Sequence, residues 1–191
     1  MKIILASSSP RRKEIISRLD INFQIINPAI NEPRYNNKQS PKDYAEKLSK
    51  MKALSIAQKH KKQIIIGADT IVTLNDNIVL GKPQNKKEAY NTLMMLSGKT
   101  HKVITGVTII SLSNMSHTFS EQTYVKFLDL KKEEVFKYIS TDSPYDKAGS
   151  YGIQDYSSIF VEKINGCYDN VLGFPLSRFN YICKNILNIP I

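Results

Sequence analysis

Short apolar, β-branched runs alternate with helix-period segments along nearly the whole chain, and that alternation limits the fold more than any other feature. The pattern predicts strands over residues 2–6, 23–27, 63–68, 70–74, 78–80, 102–112, 118–128 and 158–164. It predicts helices over 10–20, 41–60, 86–97, 131–141 and 175–187. Several helix starts carry their own signals: Ser9-Pro10, Ser40-Pro41 with Asp43 and Glu46 close behind, and Pro175. The NDN triplet at 75–77 is a hairpin signal, because Asn and Asp tolerate the left-handed turn region. Strands interleaved with helices and some hairpins predict an α/β fold with a mixed central sheet and flanking helices. With 191 residues, 41% of them hydrophobic, the expectation is a single domain over 1–191, large enough to hold two small lobes on a shared core.

Composition removes several function classes. No apolar run approaches the ~18–20 residues that span a bilayer. The opening MKIILA is too short for a signal-peptide core, so no membrane partner and a cytoplasmic address are expected. Cys167 and Cys183 show neither CxxC spacing nor nearby His partners, which predicts reduced, inert thiols. His60, His101 and His117 form no HExxH pair. A net charge of +10 raises the question of nucleic acid. The excess, however, is lysine scattered on predicted helix faces, as in HKKQ, NKKEA and LKKEEV, with no basic–aromatic strand motif. No nucleic-acid partner is expected.

Four stretches carry chemistry. In ASSSPRRKE, residues 6–14, a buried strand hands over to a helix through three serines, with Arg11 and Arg12 in the first helical turn. Arginines are locally unfavourable there, where the helix dipole favours negative charge, and an anion reverses that sign. Backbone N–H groups, hydroxyls and two guanidinium forks suit a phosphate; an ordinary capped helix with solvated arginines fits the stretch equally well. In IIIGADTIV, an apolar strand is expected to end at Gly67-Ala68 and deliver Asp69 and Thr70. The small residues would let a ligand approach the backbone, and the acid is a magnesium ligand, a general base or a turn cap.

In LGKPQ, Lys82 sits in a rigid Gly–Lys–Pro turn suited to holding an ammonium against a phosphate. It is not a P-loop, since Asp76 stands where the first glycine of that motif belongs. The run SPYDKAGSYGIQD, residues 143–155, reads as an irregular binding loop or as a surface loop whose glycines permit turns. No GxSxG elbow or GxGxxG fingerprint occurs, which argues against serine hydrolases and dinucleotide-dependent oxidoreductases.

Taken together, ASSSPRRKEI, GADTIV, LGKP, LSGKTHKVITGV and DKAGSYGIQ resemble the Maf family in order and spacing, over about residue 3 to residue 179. The resemblance implies a fold similar to the inosine triphosphate pyrophosphatases, with two lobes around a cleft. It also implies hydrolysis of a nucleoside triphosphate to its monophosphate and pyrophosphate, with a role in removing non-standard nucleotides. A divalent metal is implied, magnesium first and manganese as an alternative. On this resemblance Ser7, Ser8, Arg11, Arg12, Lys52 and Lys82 bind the phosphates. Asp69 is the proton acceptor, and Glu32 helps hold the metal; alternatively Glu32 and Asp69 both ligate the metal, which activates the water.

The resemblance extends to base choice. The subgroup acting on dTTP and UTP is similar to this chain at Arg11, Thr70 and Gln154, where a subgroup acting on 7-methylguanosine triphosphate carries Trp, Gln and Glu. A Gln amide can pair with the N3–H donor and O4 acceptor of uracil or thymine; a flipped amide serves cytosine equally well. One departure stands out: relatives commonly have Gly after YGIQ, whereas Asp155-Tyr156 follow here and add a negative charge near the expected base pocket. The family resemblance further implies a homodimer and, as an alternative function, a nucleotide-sensing regulator of septum formation without turnover.

Overall fold

The computed structural model describes residues 2–75 and 77–191. Strand β1 (Ile3–Ala6) leads into α1 (Pro10–Ile16), and β2 (Phe23–Ile25) precedes the long helix α2 (Pro41–Ala57). Strands β3 (Ile64–Leu74) and β4 (Ile78–Leu80) are followed by α3 (Lys86–Leu96), then by the hairpin of β5 (Thr100–Ile110) and β6 (Ser116–Phe127). After α4 (Lys132–Ile139) come three 3₁₀ turns, Ser143–Asp146, Ala148–Ser150 and Tyr156–Phe160. Strand β7 (Val161–Asn165), α5 (Tyr168–Leu172) and α6 (Leu176–Asn185) complete the order.

One seven-stranded sheet runs through the molecule in the order β2-β1-β3-β5-β6-β7, with β4 paired to β3. It is mixed: β1 pairs in parallel with β2 and β3, whereas β5, β6 and β7 continue antiparallel. The expected α/β class and mixed sheet are therefore observed. Cores lie at both ends of the long strands. At one end α1 and α6 cover Ile3, Leu5, Ile64 and Ile66 on one face, and α2 covers Ile4, Ile65 and Ile110 on the other. At the other end α3 and α4 pack on Val72, Leu74, Val103, Val125 and Phe127. These are two lobes on a shared sheet.

The capping signals act locally as expected. The Ser9 hydroxyl accepts from the Arg12 N–H at 3.4 Å with Pro10 next in the helix, and Ser40 accepts from the Asp43 N–H at 3.1 Å. Asn75 is left-handed (φ 55°), as the hairpin signal requires; Asp76 lies outside the described residues.

Three elements differ from expectation. The runs 63–68 and 70–74 are one strand, β3, passing straight through Asp69. Gly67-Ala68 and Asp69-Thr70 look like strand-end punctuation, but β5 pairs with this stretch without interruption, from Ile65↔Ile110 to Thr73↔Lys102. Gly67 does not open the backbone to a ligand either. A Cβ there would lie 2.3 Å from the Ser49 carbonyl oxygen, so the missing side chain makes room for α2. Finally, the run 158–164 begins as a 3₁₀ turn, and α5 was not expected at all; it ends on Gly173 at φ 116°, a left-handed C-cap.

Candidate active site

Strand pairing opens the cleft. On its edge away from β5, β3 pairs with β1 only as far as Ala6↔Gly67, and with β4 only from Val72↔Leu80 onward. The four residues between, Ala68 to Ile71, have no strand neighbour on that edge among the described residues. There the chain leaving β1 enters Ser7-Ser8-Ser9 and the N-terminus of α1. A cleft of about 570 Å³ forms at this divergence, the general position of ligand sites in open α/β sheets.

Alternation along β3 divides its polar residues between two helices. Ile65, Asp69 and Ile71 share the α2 face, while Ile66, Ala68 and Thr70 share the face of α1. Asp69, 7% exposed, meets Lys52 of α2, whose ammonium donates to its Oδ1 and lies 2.8 Å from Oε1 of Glu32. Burial pushes the Asp69 carboxyl above the ordinary carboxylate range; Lys52 and Arg12 oppose the rise without cancelling it, and Glu32 adds to it. Asp69 therefore sits inside a strand rather than at its mouth, and caps no turn.

On the other face Arg12 is half-buried and directional. Its Nε donates to the Gly173 carbonyl at 2.8 Å, Nη1 to the Ser7 hydroxyl at 3.1 Å and Nη2 to the Thr70 hydroxyl at 2.9 Å. Burial lowers its pKa, partly offset by Asp69, so it is no solvated surface arginine. Arg11 reaches across the cleft to Asp146 at 3.0 Å. Lys82 and Gln154 are exposed on the cleft wall, and among the described residues no hydrogen bond holds the Gln154 amide.

Every site residue expected from the sequence borders this one cleft: Ser7, Ser8, Arg11, Arg12, Glu32, Lys52, Asp69, Thr70, Lys82 and Gln154. Three contributors carried no individual signal. Lys147, largely buried, donates to Ser143 O at 2.5 Å and to Asp146 Oδ1 at 2.7 Å; the Gly173 carbonyl anchors Arg12; Tyr151 walls the cleft. Lys147 lay within the DKAG run, but its buried position depends on contacts only the folded loop makes.

The extra acid, Asp155, does not face the cleft. It caps the Tyr156–Phe160 turn, accepts from the Ser143 and Ser157 hydroxyls at 2.5 and 2.6 Å, and lies 3.4 Å from Lys147. Its φ of −112° needs no glycine. The departure from the family pattern is absorbed locally.

Charge in the cleft favours a polyanion. Arg11, Arg12, Lys52, Lys82 and Lys147 border it, against Glu32, Asp69 and Asp146. Among the described residues no group of three or more His, Cys, Asp or Glu side chains could hold a metal. The donor set nevertheless fits magnesium, which takes one or two carboxylates and completes its shell with water and substrate phosphates. Glu32 and Asp69 converge closely enough to share one ammonium.

Comparison with known proteins gives consistent results. A model described as "Maf-like protein" matches residues 2–186. The "dTTP/UTP pyrophosphatase" of Thermosipho melanesiensis is 52% identical over 178 residues, 93% of this chain and 94% of that protein. Its namesake in Thermosipho africanus is 51% identical over 93% of this chain and 90% of its own length. That of Bacillus mycoides is 48% identical over 93% and 91%. Among solved structures, the Ham1 protein of Staphylococcus aureus aligns with a TM-score of 0.47 at 13% identity, covering 69% of this chain and 74% of its own. That distance carries no inference.

Proposed function

This chain belongs to the Maf family, and on that premise we propose that it hydrolyses nucleoside triphosphates, dTTP and UTP foremost, to the monophosphate and pyrophosphate. The carrying observation is a buried carboxylate, Asp69, in a cleft bordered by five cationic side chains and a serine-rich helix N-terminus. Ser7, Ser8, Arg11, Arg12, Lys52 and Lys82 bind the triphosphate. The Arg12 fork has two N–H groups left after its three protein bonds. Arg11 exchanges Asp146 for a phosphate at small cost, since an exposed ion pair contributes only about 0–1 kcal/mol.

Asp69 takes the proton of the attacking water. A carboxyl raised by burial is a better base than an exposed one, and the Lys52 ammonium keeps it ionised and oriented. Glu32 would help hold a magnesium or manganese ion, whose contribution is to offset charge on the phosphates; in the alternative Glu32 and Asp69 would both hold the ion, which lowers the pKa of bound water. Arg11, Thr70 and Gln154, which border the cleft, set the choice of base, the Gln amide pairing with the N3–H and O4 of uracil or thymine. No helix among the described residues is long and apolar enough to cross a membrane, in keeping with a cytoplasmic site of action.

The test is pyrophosphate release from dTTP, UTP, CTP, GTP, ATP and 7-methyl-GTP, with Mg²⁺, with Mn²⁺ and with chelator. The highest kcat/KM is expected for dTTP and UTP, with loss of turnover in chelator. A purine preference, or CTP above UTP, overturns the base reading. Nucleotide binding without pyrophosphate release overturns the hydrolase and leaves a regulator.

A further inference from the structure

A chain of hydroxyls runs inward from the cleft behind Arg12. Thr70 on β3 and Thr105 on β5 are register partners on the same face of the sheet. Their hydroxyl oxygens lie 3.0 Å apart, and Thr105, fully buried, donates to the Asn170 carbonyl at 3.1 Å. A hydroxyl has one proton. That of Thr105 is spent on Asn170, so in the Thr70–Thr105 contact Thr70 is the donor. Thr70 then presents a lone pair to Arg12 Nη2 at 2.9 Å. The bonds run one way: Arg12 to Thr70 to Thr105 to the Asn170 carbonyl.

The far end is rigid. The buried Asn170 amide donates to the Val103 carbonyl and to the Thr123 hydroxyl, each at 3.0 Å. The Thr70 hydroxyl also hydrogen-bonds the Gly173 carbonyl, at the longer distance of 3.3 Å, and without Thr105 its proton would go there wholly, to an oxygen already accepting from Arg12 Nε. Two donors would then compete for the oxygen that sets the guanidinium plane.

We infer that Thr105, through Thr70, is a positioning residue for the Arg12 guanidinium, so that Thr105 acts on the phosphates of every nucleotide alike. This inference rests on the phosphate-binding role proposed for Arg12, and it adds Thr105, to which the sequence did not point.

The experiment compares Thr105→Val and Thr70→Val, which keep shape and lose the hydroxyl, with Thr105→Ser and Thr70→Ser, which keep it. Two quantities are read: kcat/KM for dTTP, UTP, CTP and GTP, and pyrophosphate affinity by calorimetry. Thr105→Val is expected to weaken pyrophosphate binding about 3- to 10-fold, the equivalent of one neutral hydrogen bond. Thr70→Val is expected to weaken it about 10- to 100-fold, as for a bond to a charged group. Both serine variants should stay near wild type. In Thr105→Val the ratios of kcat/KM between nucleotides should stay constant, and Thr105→Val should have no further effect once Arg12→Lys has removed the fork.

A change in the dTTP:CTP or UTP:GTP ratio in Thr105→Val would show that Thr105 acts on the base rather than on the phosphates. An undiminished Thr105→Val effect beside Arg12→Lys would show a merely structural role. If Thr105→Val does not fold, the half-buried Thr70→Val and the Thr70→Ser rescue decide the same question. Wild-type turnover tests the pyrophosphatase reading separately, because pyrophosphate affinity can be measured whether or not the protein turns over.

Discussion

Asp69 combines three properties that residue type alone does not supply: burial, a raised pKa and an ammonium in contact. The first two make it costly to the fold and useful as a base. Asp69→Asn keeps the shape and removes the base. It should lower kcat by roughly 10²–10⁴-fold, with a melting temperature close to wild type. Steady-state kinetics with a thermal melt check both halves, and near-normal kcat would remove Asp69 from the mechanism. The two thiols have no such role. Cys183 is buried, and its thiol is pushed up to about 12 by that burial, which leaves it unreactive.

At the scale of elements, the contact of Lys52 with Asp69 depends on how closely α2 lies on β3 and β5. Two glycines set that distance. A Cβ at Gly67 would meet Ser49 O at 2.3 Å and Ala53 N at 2.7 Å, and one at Gly106 would meet Ala45 O at 2.3 Å. These neighbours are helix backbone and cannot rotate away. Gly67→Ala or Gly106→Ala should therefore lift α2, at a cost of about 1–3 kcal/mol for overpacking. Lys52 would withdraw from Asp69 by a fraction of an ångström or more, and displacements near 1 Å can lower turnover by about 10²-fold. Denaturant melts and kcat measured on the same samples would show both losses; stability and kcat near wild type would mean the helix does not need this approach.

Across the whole molecule, the far lobe carries a pH dependence of its own. His101 on β5 is fully enclosed, 4.9 Å from the Phe127 ring, with Nε2 2.8 Å from the Tyr151 hydroxyl. Burial lowers its pKa from 6.5 to about 4. Folded His101 thus holds a proton less tightly than the unfolded chain does. The unfolded state takes up more protons as pH falls from 6.5 toward 4, and stability falls with it; above 6.5 both states are neutral and this dependence vanishes. Between pH 7.5 and 5 the loss should be about 2 kcal/mol. Denaturant unfolding of wild type and His101→Gln across this range should show a shallower slope in the variant, and equal slopes would assign the acid sensitivity elsewhere.

How much of this was legible in the sequence follows from the range of the interactions involved. Strand and helix periods, the Ser9 and Ser40 caps and the left-handed Asn75 are set by residues within about one turn of each other, and they can be read along the chain. The short motifs supplied the site residues because their order and spacing resemble a family. What the chain alone did not decide is where each side chain's partners come from. Asp69 looked like a strand end because the antiparallel β5 that carries the strand onward lies over thirty residues away. Gly67 looked like an opening for a ligand because the helix filling that space is invisible locally. Solvated arginines fitted the sequence as well as a phosphate receptor did because two of the three acceptors of Arg12, Thr70 and Gly173, stand 58 and 161 residues away. Local backbone preference fixed the elements; desolvation and hydrogen-bond direction, which exist only once distant segments have packed together, fixed what the charged residues can do.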